Sequence, residues 1–357
     1  MIKSPDYIAE LKPYVPGKPV EELERELGIK DAVKLASNEN PLGPSAKALS
    51  MMRSADFHLN RYPDGGGFYL KQKLSEKTGF PEESIILGCG SNELLNLAAI
   101  AYLTDKDSAV MATPSFVVYP SATRMVGARA IQVPLTKDFR HDLAAMARAI
   151  TSDTRIVFIA NPNNPTGTMN TAREFKEFMD AVPPGLLVIV DEAYCEYVSS
   201  RNYPDSFSFL RTGRDILILR TFSKIYGLAG LRVGYGISKK EIITEIDKVR
   251  PPFNTSTIAQ AAAIAALDDQ AHVQNSIKVN EQGRTYLYAE LAKLKVRFVP
   301  TETNFIYMKI DNSGLIYNEI LKRGVIVRPM GPDAIRVTIG LPEENTKFIN
   351  ALREVMH

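Results

Sequence analysis

Between residues 85 and 236 short apolar runs alternate with stretches in which apolar residues recur every three to four positions. The runs 84–87, 108–112, 130–133, 156–159, 186–190, 216–219 and 233–236 predict strands, and 93–103, 117–126, 143–150 and 172–181 predict helices. These strands are apolar throughout rather than alternating, as a sheet covered on both faces requires. The pattern predicts a largely parallel, helix-covered sheet.

After Arg250 the texture changes. Pro251-Pro252 breaks the helical pattern before it, and long helices follow, alanine-rich over 257–267 and amphipathic over 271–295. Short strands at 297–299, 304–309, 325–328 and 334–339, with helices at 314–323 and 343–355, describe a smaller unit. The proline-rich stretch 12–19 reads as an extended arm. The expected fold class is therefore α/β, a large domain with a mostly parallel helix-covered sheet plus a smaller α+β domain. Its divisions fall at 1–40 for the arm, 41–248 for the large domain and 249–357 for the small one.

Composition narrows the function classes. A chain of 357 residues has the length of two domains, and 45% hydrophobic with 24% charged residues is ordinary for a globular protein. Net charge is +2 with no run of like charges, which argues against a nucleic-acid surface or a polybasic membrane patch. Cys89 and Cys195 read as free thiols of a reducing cytoplasm. The first ten residues carry acids and Pro5 where a signal peptide needs a basic flank and an apolar run, and the apolar stretches are too short to span a bilayer. His58, His141, His272 and His357 have no ligand-like spacing, so no metal site is expected.

The unusual residues fall in loops at the C-terminal ends of the expected strands, where open α/β sheets bind ligands. Gly88-Cys89-Gly90-Ser91-Asn92-Glu93 opens a helix, so the amides of Ser91 and Asn92 suit a phosphate, or equally a helix cap. Asn161-Pro162-Asn163-Asn164-Pro165-Thr166-Gly167 is either a stiff surface loop or a rigid mount for a side-chain amide that donates to a ring substituent. In Asp191-Glu192-Ala193-Tyr194 a carboxylate ends an apolar strand and must be paired; a protonated pyridine nitrogen is one partner, a helix cap the ordinary alternative. Lys224 lies in Thr221-Phe222-Ser223-Lys224-Ile225-Tyr226-Gly227, followed by Arg232. A loop lysine is solvated unless burial or neighbouring charge lowers its pKa; then it can form a Schiff base.

In order and spacing, N-P-N-N-P-T-G, D-E-A-Y and S-K-x-x-G-L-A-G-L-R resemble the fold-type I pyridoxal-phosphate aminotransferases of the aspartate aminotransferase superfamily. The arm Lys12-Pro13-Tyr14-Val15-Pro16-Gly17-Lys18, the stretch Lys34-Leu35-Ala36-Ser37-Asn38-Glu39-Asn40-Pro41 and Asn60-Arg61-Tyr62-Pro63-Asp64 are similar to the histidinol-phosphate branch of that superfamily. The resemblance extends from the arm to Arg336.

It implies pyridoxal 5′-phosphate as cofactor, with Lys224 as the Schiff-base lysine, Asp191 on the pyridine nitrogen, and Asn164 and Tyr194 on the ring's O3′. Phe116 falls where the family stacks an aromatic, often a tyrosine. Ser91, Asn92, Thr221, Ser223 and Arg232 would hold the cofactor phosphate, joined by Tyr62 from the partner subunit of a homodimer. Arg336 would grip the substrate α-carboxylate through its planar fork. Arg328 would meet the substrate's own phosphate, with Tyr14 of the partner's arm assisting. Asn38 would line the substrate cleft, and Asn304-Phe305 resembles a cleft motif. Cys89 is expected to be structural.

The implied reaction is amino transfer between histidinol phosphate and 2-oxoglutarate. Threonine-phosphate decarboxylases share these motifs, broad aromatic aminotransferases are a second alternative, and a non-catalytic module of this fold a third. The last has no need of both Lys224 and Asp191, which are present.

Overall fold

The computed structural model describes residues 2–13, 16–54 and 57–356. Thirteen strands occur among them: β1 (Val33–Lys34), β2 (Ile85–Gly88), β3 (Ser108–Thr113), β4 (Arg129–Pro134), β5 (Thr154–Ala160), β6 (Leu187–Asp191), β7 (Ile216–Thr221), β8 (Gly234–Ile237), β9 (Arg297–Val299), β10 (Phe305–Lys309), β11 (Val325–Ile326), β12 (Arg328–Pro329) and β13 (Ala334–Thr338). Seven form the large sheet in the order β2-β8-β7-β6-β5-β3-β4. Strands β3 to β7 run parallel. The exception is β8, which is antiparallel to both neighbours.

Alternation along these strands explains why they read as uniformly apolar. Val157, Ile159, Val188, Val190, Ile216 and Ile218 point to one face, where the helices Phe68–Thr78, Ala172–Ala181 and Thr257–Leu267 cover them. Ile156, Phe158, Leu187, Ile189, Leu217 and Leu219 point to the other, under the helices Ser91–Tyr102, Val118–Met125 and Lys240–Asp247. The fold class is thus α/β, as the pattern required. The helices Ala46–Ser54 and Phe68–Thr78 were not expected, because their apolar stripes are thin: the first buries Ala48, the second Leu70 and Leu74.

The second sheet is antiparallel, in the order β12-β13-β10-β9, and packs against the helices Gln270–Lys293, Ser313–Lys322 and Pro342–Met356 around Leu287, Leu291, Ile320, Phe348 and Leu352. The single strand expected over 325–328 is two short strands. β11 pairs in parallel with β1, whereas Arg328 in β12 pairs with β13. The change of texture after Arg250 precedes the change in packing: Ala259, Ala262, Ala263, Ala266, Leu267 and Val273 all belong to the core under the large sheet. Among the described residues no helix is long and apolar enough to cross a membrane.

One close approach fixes the loop that carries Lys224. Gly227 has φ of +67°, and a Cβ there would stand 2.0 Å from the carbonyl oxygen of Gly43. Neither the backbone conformation nor the space admits a side chain. Gly227→Ala is therefore expected to lower the unfolding free energy by about 2 kcal/mol or more, measured by urea denaturation.

Candidate active site

The C-terminal ends of β5, β6 and β7 open into a cavity of about 290 Å³. Its wall brings together thirteen of the residues singled out from the sequence: Asn38, Ser91, Asn92, Phe116, Asn164, Asp191, Tyr194, Thr221, Ser223, Lys224, Arg232, Arg328 and Arg336. Two of the others, Tyr62 and Tyr14, are not among them. Tyr62 is 82% exposed and stacks on Phe253 at 4.6 Å, away from the cavity of its own chain. Tyr14 lies outside the described residues.

Asp191 is the last residue of β6 and shares its side of the sheet with Ile189. Burial pushes its carboxyl up to about 6. The shift is opposed by a hydrogen bond from the Tyr119 hydroxyl to Oδ2 at 3.1 Å, by the Ala193 N–H to Oδ1 at 3.1 Å and by the Lys224 cation. Glu192, the next residue, turns to the opposite side, where Arg220 donates to its Oε2 from Nε at 2.9 Å and Nη2 at 2.8 Å. Alternation along the strand thus assigns the two acids of D-E-A-Y to different environments.

Lys224 sits just past β7 and donates to the Ser37 carbonyl at 3.0 Å, with its amine 5.7 Å from the centre of the Tyr194 ring. Burial, then the guanidinium of Arg336, lowers its pKa to about 8; Arg232 adds to this, while Glu39 and Asp191 act against it. The condition for a chemically useful lysine is met.

The phosphate-like corner lies at the start of the helix Ser91–Tyr102, which has no side-chain cap. Arg232, held in a left-handed conformation at φ +53°, donates from Nη1 to Ser223 Oγ at 3.2 Å and from Nη2 to the Cys89 carbonyl at 3.4 Å. A Cβ on Gly90 would come within 2.5 Å of Arg232 Nη2, so glycine is what lets the guanidinium lie over the helix N-terminus. Cys89 enters through its backbone, its N–H donating to Glu93 at 2.7 Å. The Thr221 hydroxyl accepts from the Ser223 N–H at 3.1 Å. Uncapped amides, two hydroxyls and a fixed guanidinium suit a phosphate dianion.

The asparagine-rich loop is stiffened by its own side chains and turns one amide into the cavity. Asn161 bonds Asn170, accepting from its N–H at 2.8 Å, and Asn163 accepts from Ser115 Oγ at 2.8 Å and donates to Thr166 Oγ1 at 2.8 Å. His141 Nε2 lies 3.0 Å from Asn163 Oδ1, and burial holds that imidazole neutral, with its pKa lowered to about 4. With its neighbours so engaged, Asn164 reaches the cavity and accepts from Arg336 Nη1 at 2.6 Å. Arg336 Nη2 donates to the Ala36 carbonyl at 2.7 Å, and its guanidinium lies 5.2 Å from the centre of the Phe305 ring. Arg328 stands opposite Arg336 in the β12–β13 register.

Asn38, at φ +55°, donates from Nδ2 to the Tyr194 hydroxyl at 2.9 Å and is itself braced by Asn304, whose Nδ2 donates to its carbonyl at 3.0 Å. Sequence reasoning missed Tyr119, Ser37 and Glu39, all on the cavity wall. The available signal for Tyr119 was its position three residues after Phe116 at the start of a helix.

The profile of the family described as aminotransferase class I and II matches residues 30–352. The chain is 50% identical over 360 residues to the histidinol-phosphate aminotransferase of Moorella thermoacetica, covering 99% of this chain and 93% of that protein. It is 49% identical to histidinol-phosphate aminotransferase 2 of Pseudomonas fluorescens, covering 98% and 96%. It is similar in structure to the histidinol-phosphate aminotransferase of Sinorhizobium meliloti solved in complex with pyridoxal-5′-phosphate, with a TM-score of 0.90 at 29% identity over 100% of this chain and 98% of that one.

The raised pKa of Asp191 has a consequence for the cofactor-free protein. A carboxyl raised from 3.8 to about 6 contributes stability that is full below the unfolded value and lost as pH rises through about 6. Asp191→Asn, which cannot ionise, is therefore expected to exceed wild type in unfolding free energy above that pH by about 3 kcal/mol. The difference should close towards about pH 4, as followed by denaturant titration across the range.

Proposed function

We propose that this chain, which belongs to the class I and II aminotransferases, transfers the amino group of histidinol phosphate to 2-oxoglutarate, giving imidazole-acetol phosphate and glutamate, a step of histidine biosynthesis. It is a transaminase that uses pyridoxal phosphate. The observation that carries the substrate reading is the pair Arg328 and Arg336 on neighbouring strands of the cavity wall that also holds Lys224, in addition to Arg232 at the phosphate corner.

When bound, pyridoxal phosphate supplies an aldehyde carbon for an amine and a ring able to accept the electrons left at a substrate Cα. The protein's part is binding and proton handling. Ser91, Asn92, Thr221, Ser223 and Arg232 hold the phosphate, and Asp191 holds a proton on the ring nitrogen. Asn164 and Tyr194 attend O3′, and Phe116 covers the ring face. With its pKa lowered to about 8, Lys224 keeps a usable fraction of neutral amine near neutral pH. It can thus accept the proton from the donor's Cα. Arg336 grips the α-carboxylate of glutamate and 2-oxoglutarate; histidinol phosphate has no carboxylate, and its phosphate falls to Arg328.

Assembly as a homodimer accounts for Tyr62, which would reach the cavity of a second copy, with Tyr14 assisting Arg328 there. Leu59, Tyr62, Phe68, Tyr69 and Phe253 are large apolar side chains left 45–82% exposed around this region, as a surface covered by a partner would be. The two free cysteines agree with a cytoplasmic setting. For the domain division we keep the arm at 1–40, extend the large unit through the helix Thr257–Leu267 and begin the small unit within Gln270–Lys293.

An assay of the purified protein with pyridoxal phosphate, histidinol phosphate and 2-oxoglutarate tests the reading; carbon dioxide release from threonine phosphate without amino transfer would replace it. Lys224→Ala is expected to lower turnover at least about 10³-fold and to remove the visible absorbance of cofactor bound through the lysine. Arg328→Ala is expected to raise KM for histidinol phosphate roughly 10- to 100-fold while KM for glutamate changes far less, read by steady-state kinetics in both directions.

A further inference from the structure

Tyr119 is fully buried on the helix Val118–Met125, stacked on Phe158 at 5.0 Å with ring planes 9° apart and edge-on to Phe116 at 5.7 Å. Its hydroxyl has a carboxylate for a partner, Asp191 Oδ2 at 3.1 Å. Phe116 and Asp191 are the residues placed on the ring face and the ring nitrogen of the cofactor, so one buried phenol touches both supports. We propose that Tyr119 is a positioning residue that holds Asp191 as the weaker base, so that the proton shared with the cofactor's ring nitrogen stays on the ring. This rests on the reading of Asp191 as the ring-nitrogen partner.

The physical argument concerns which groups can stabilise the Asp191 anion. Facing it are the Tyr119 hydroxyl from the covering helix, the Ala193 N–H from the turn after β6 and the Lys224 amine from the loop after β7; Glu192, one residue along, disfavours the charge. Tyr194 adds to the unfavourable field at the Tyr119 oxygen. The Lys224 amine is committed to chemistry at the aldehyde carbon and changes charge there, and the Ala193 amide occupies only Oδ1. Tyr119 alone among these side chains is a neutral donor that cannot change state: burial and the Asp191 charge push its own ionisation far above the physiological range. It therefore fixes the plane of the carboxylate together with the amide and stabilises the anion at every stage. Without the phenol, Asp191 becomes the stronger base and draws the proton off the ring, which weakens the ring as an electron acceptor.

Tyr119→Phe removes one hydroxyl and keeps both stacking contacts. In the cofactor-free protein the test is the folded-state midpoint of Asp191, read as the pH at which the stability gap to the Asp191→Asn protein stops widening, with and without Tyr119→Phe. The midpoint is expected to rise by about one pH unit. In the loaded enzyme kcat is expected to fall about tenfold with both KM values within roughly twofold, and the pH dependence of the cofactor's absorbance should move with it. Replacement of Tyr119 by a fluorinated, more acidic tyrosine should shift the cofactor-free midpoint downward. A midpoint that stays put in both variants overturns the proposal whatever the activity. A shifted midpoint in a protein without aminotransferase activity would instead leave the Tyr119–Asp191 linkage standing and remove the functional reading.

Discussion

Two groups that water would keep charged, Asp191 and Lys224, are drawn into the protein at the ends of adjacent strands, and much of the surrounding architecture answers that constraint. Desolvation drives the two pKa values towards each other, to about 6 and about 8. Among the described residues neither group is neutralised by a direct ion pair. Asp191 has a phenol and an amide, and Lys224 has a carbonyl. A buried acid and a buried base kept in this intermediate condition are costly to the empty protein and useful to a cofactor that brings its own cationic nitrogen and its own aldehyde.

The large sheet makes that arrangement possible by being sealed on both faces. Because β5, β6 and β7 are parallel and apolar, their polar residues appear only where the strands stop, and all three stop on the same side. The antiparallel β8 returns the chain from Arg232 to the sheet edge beside β2, placing the arginine next to the turn that follows β2. The phosphate corner is thus assembled from segments some 140 residues apart, Cys89 and Arg232 being separated by 143.

Much of this was legible in the sequence because the signals were local. The seven strands of the large sheet show as apolar runs, and Lys224, Asp191, Asn164 and Arg232 sit inside short motifs at strand ends. What was not legible depends on tertiary contact. Nothing in Asn163-Asn164 says which amide folds the loop and which faces the cavity; His141, Ser115 and Thr166 decide it. Tyr119 reads as one more apolar helix position until the parity of β6 puts Asp191 on the face that its helix covers. The direction of β8 has no sequence signature, and the split of 325–328 into two strands arises because the arm competes for one half of it. The helices Ala46–Ser54 and Phe68–Thr78 bury too few side chains for a periodic pattern.

The stretch from Leu35 to Asn40 joins all these parts, and it does so largely with its backbone. Leu35 exchanges hydrogen bonds with Ile326 and Thr338, Ala36 offers its carbonyl to Arg336, Ser37 offers its own to Lys224, and Asn38 receives Asn304 on its carbonyl. Asn40 closes the series by donating to the Ile225 carbonyl and to Ser276. Because peptide groups make most of these contacts, the count of residues between β1 and Pro41 is under stricter constraint than the identity of several of them. Changing a side chain at 36 or 37 leaves each carbonyl where it is, whereas inserting or deleting one residue would put every carbonyl out of step with its partner at once.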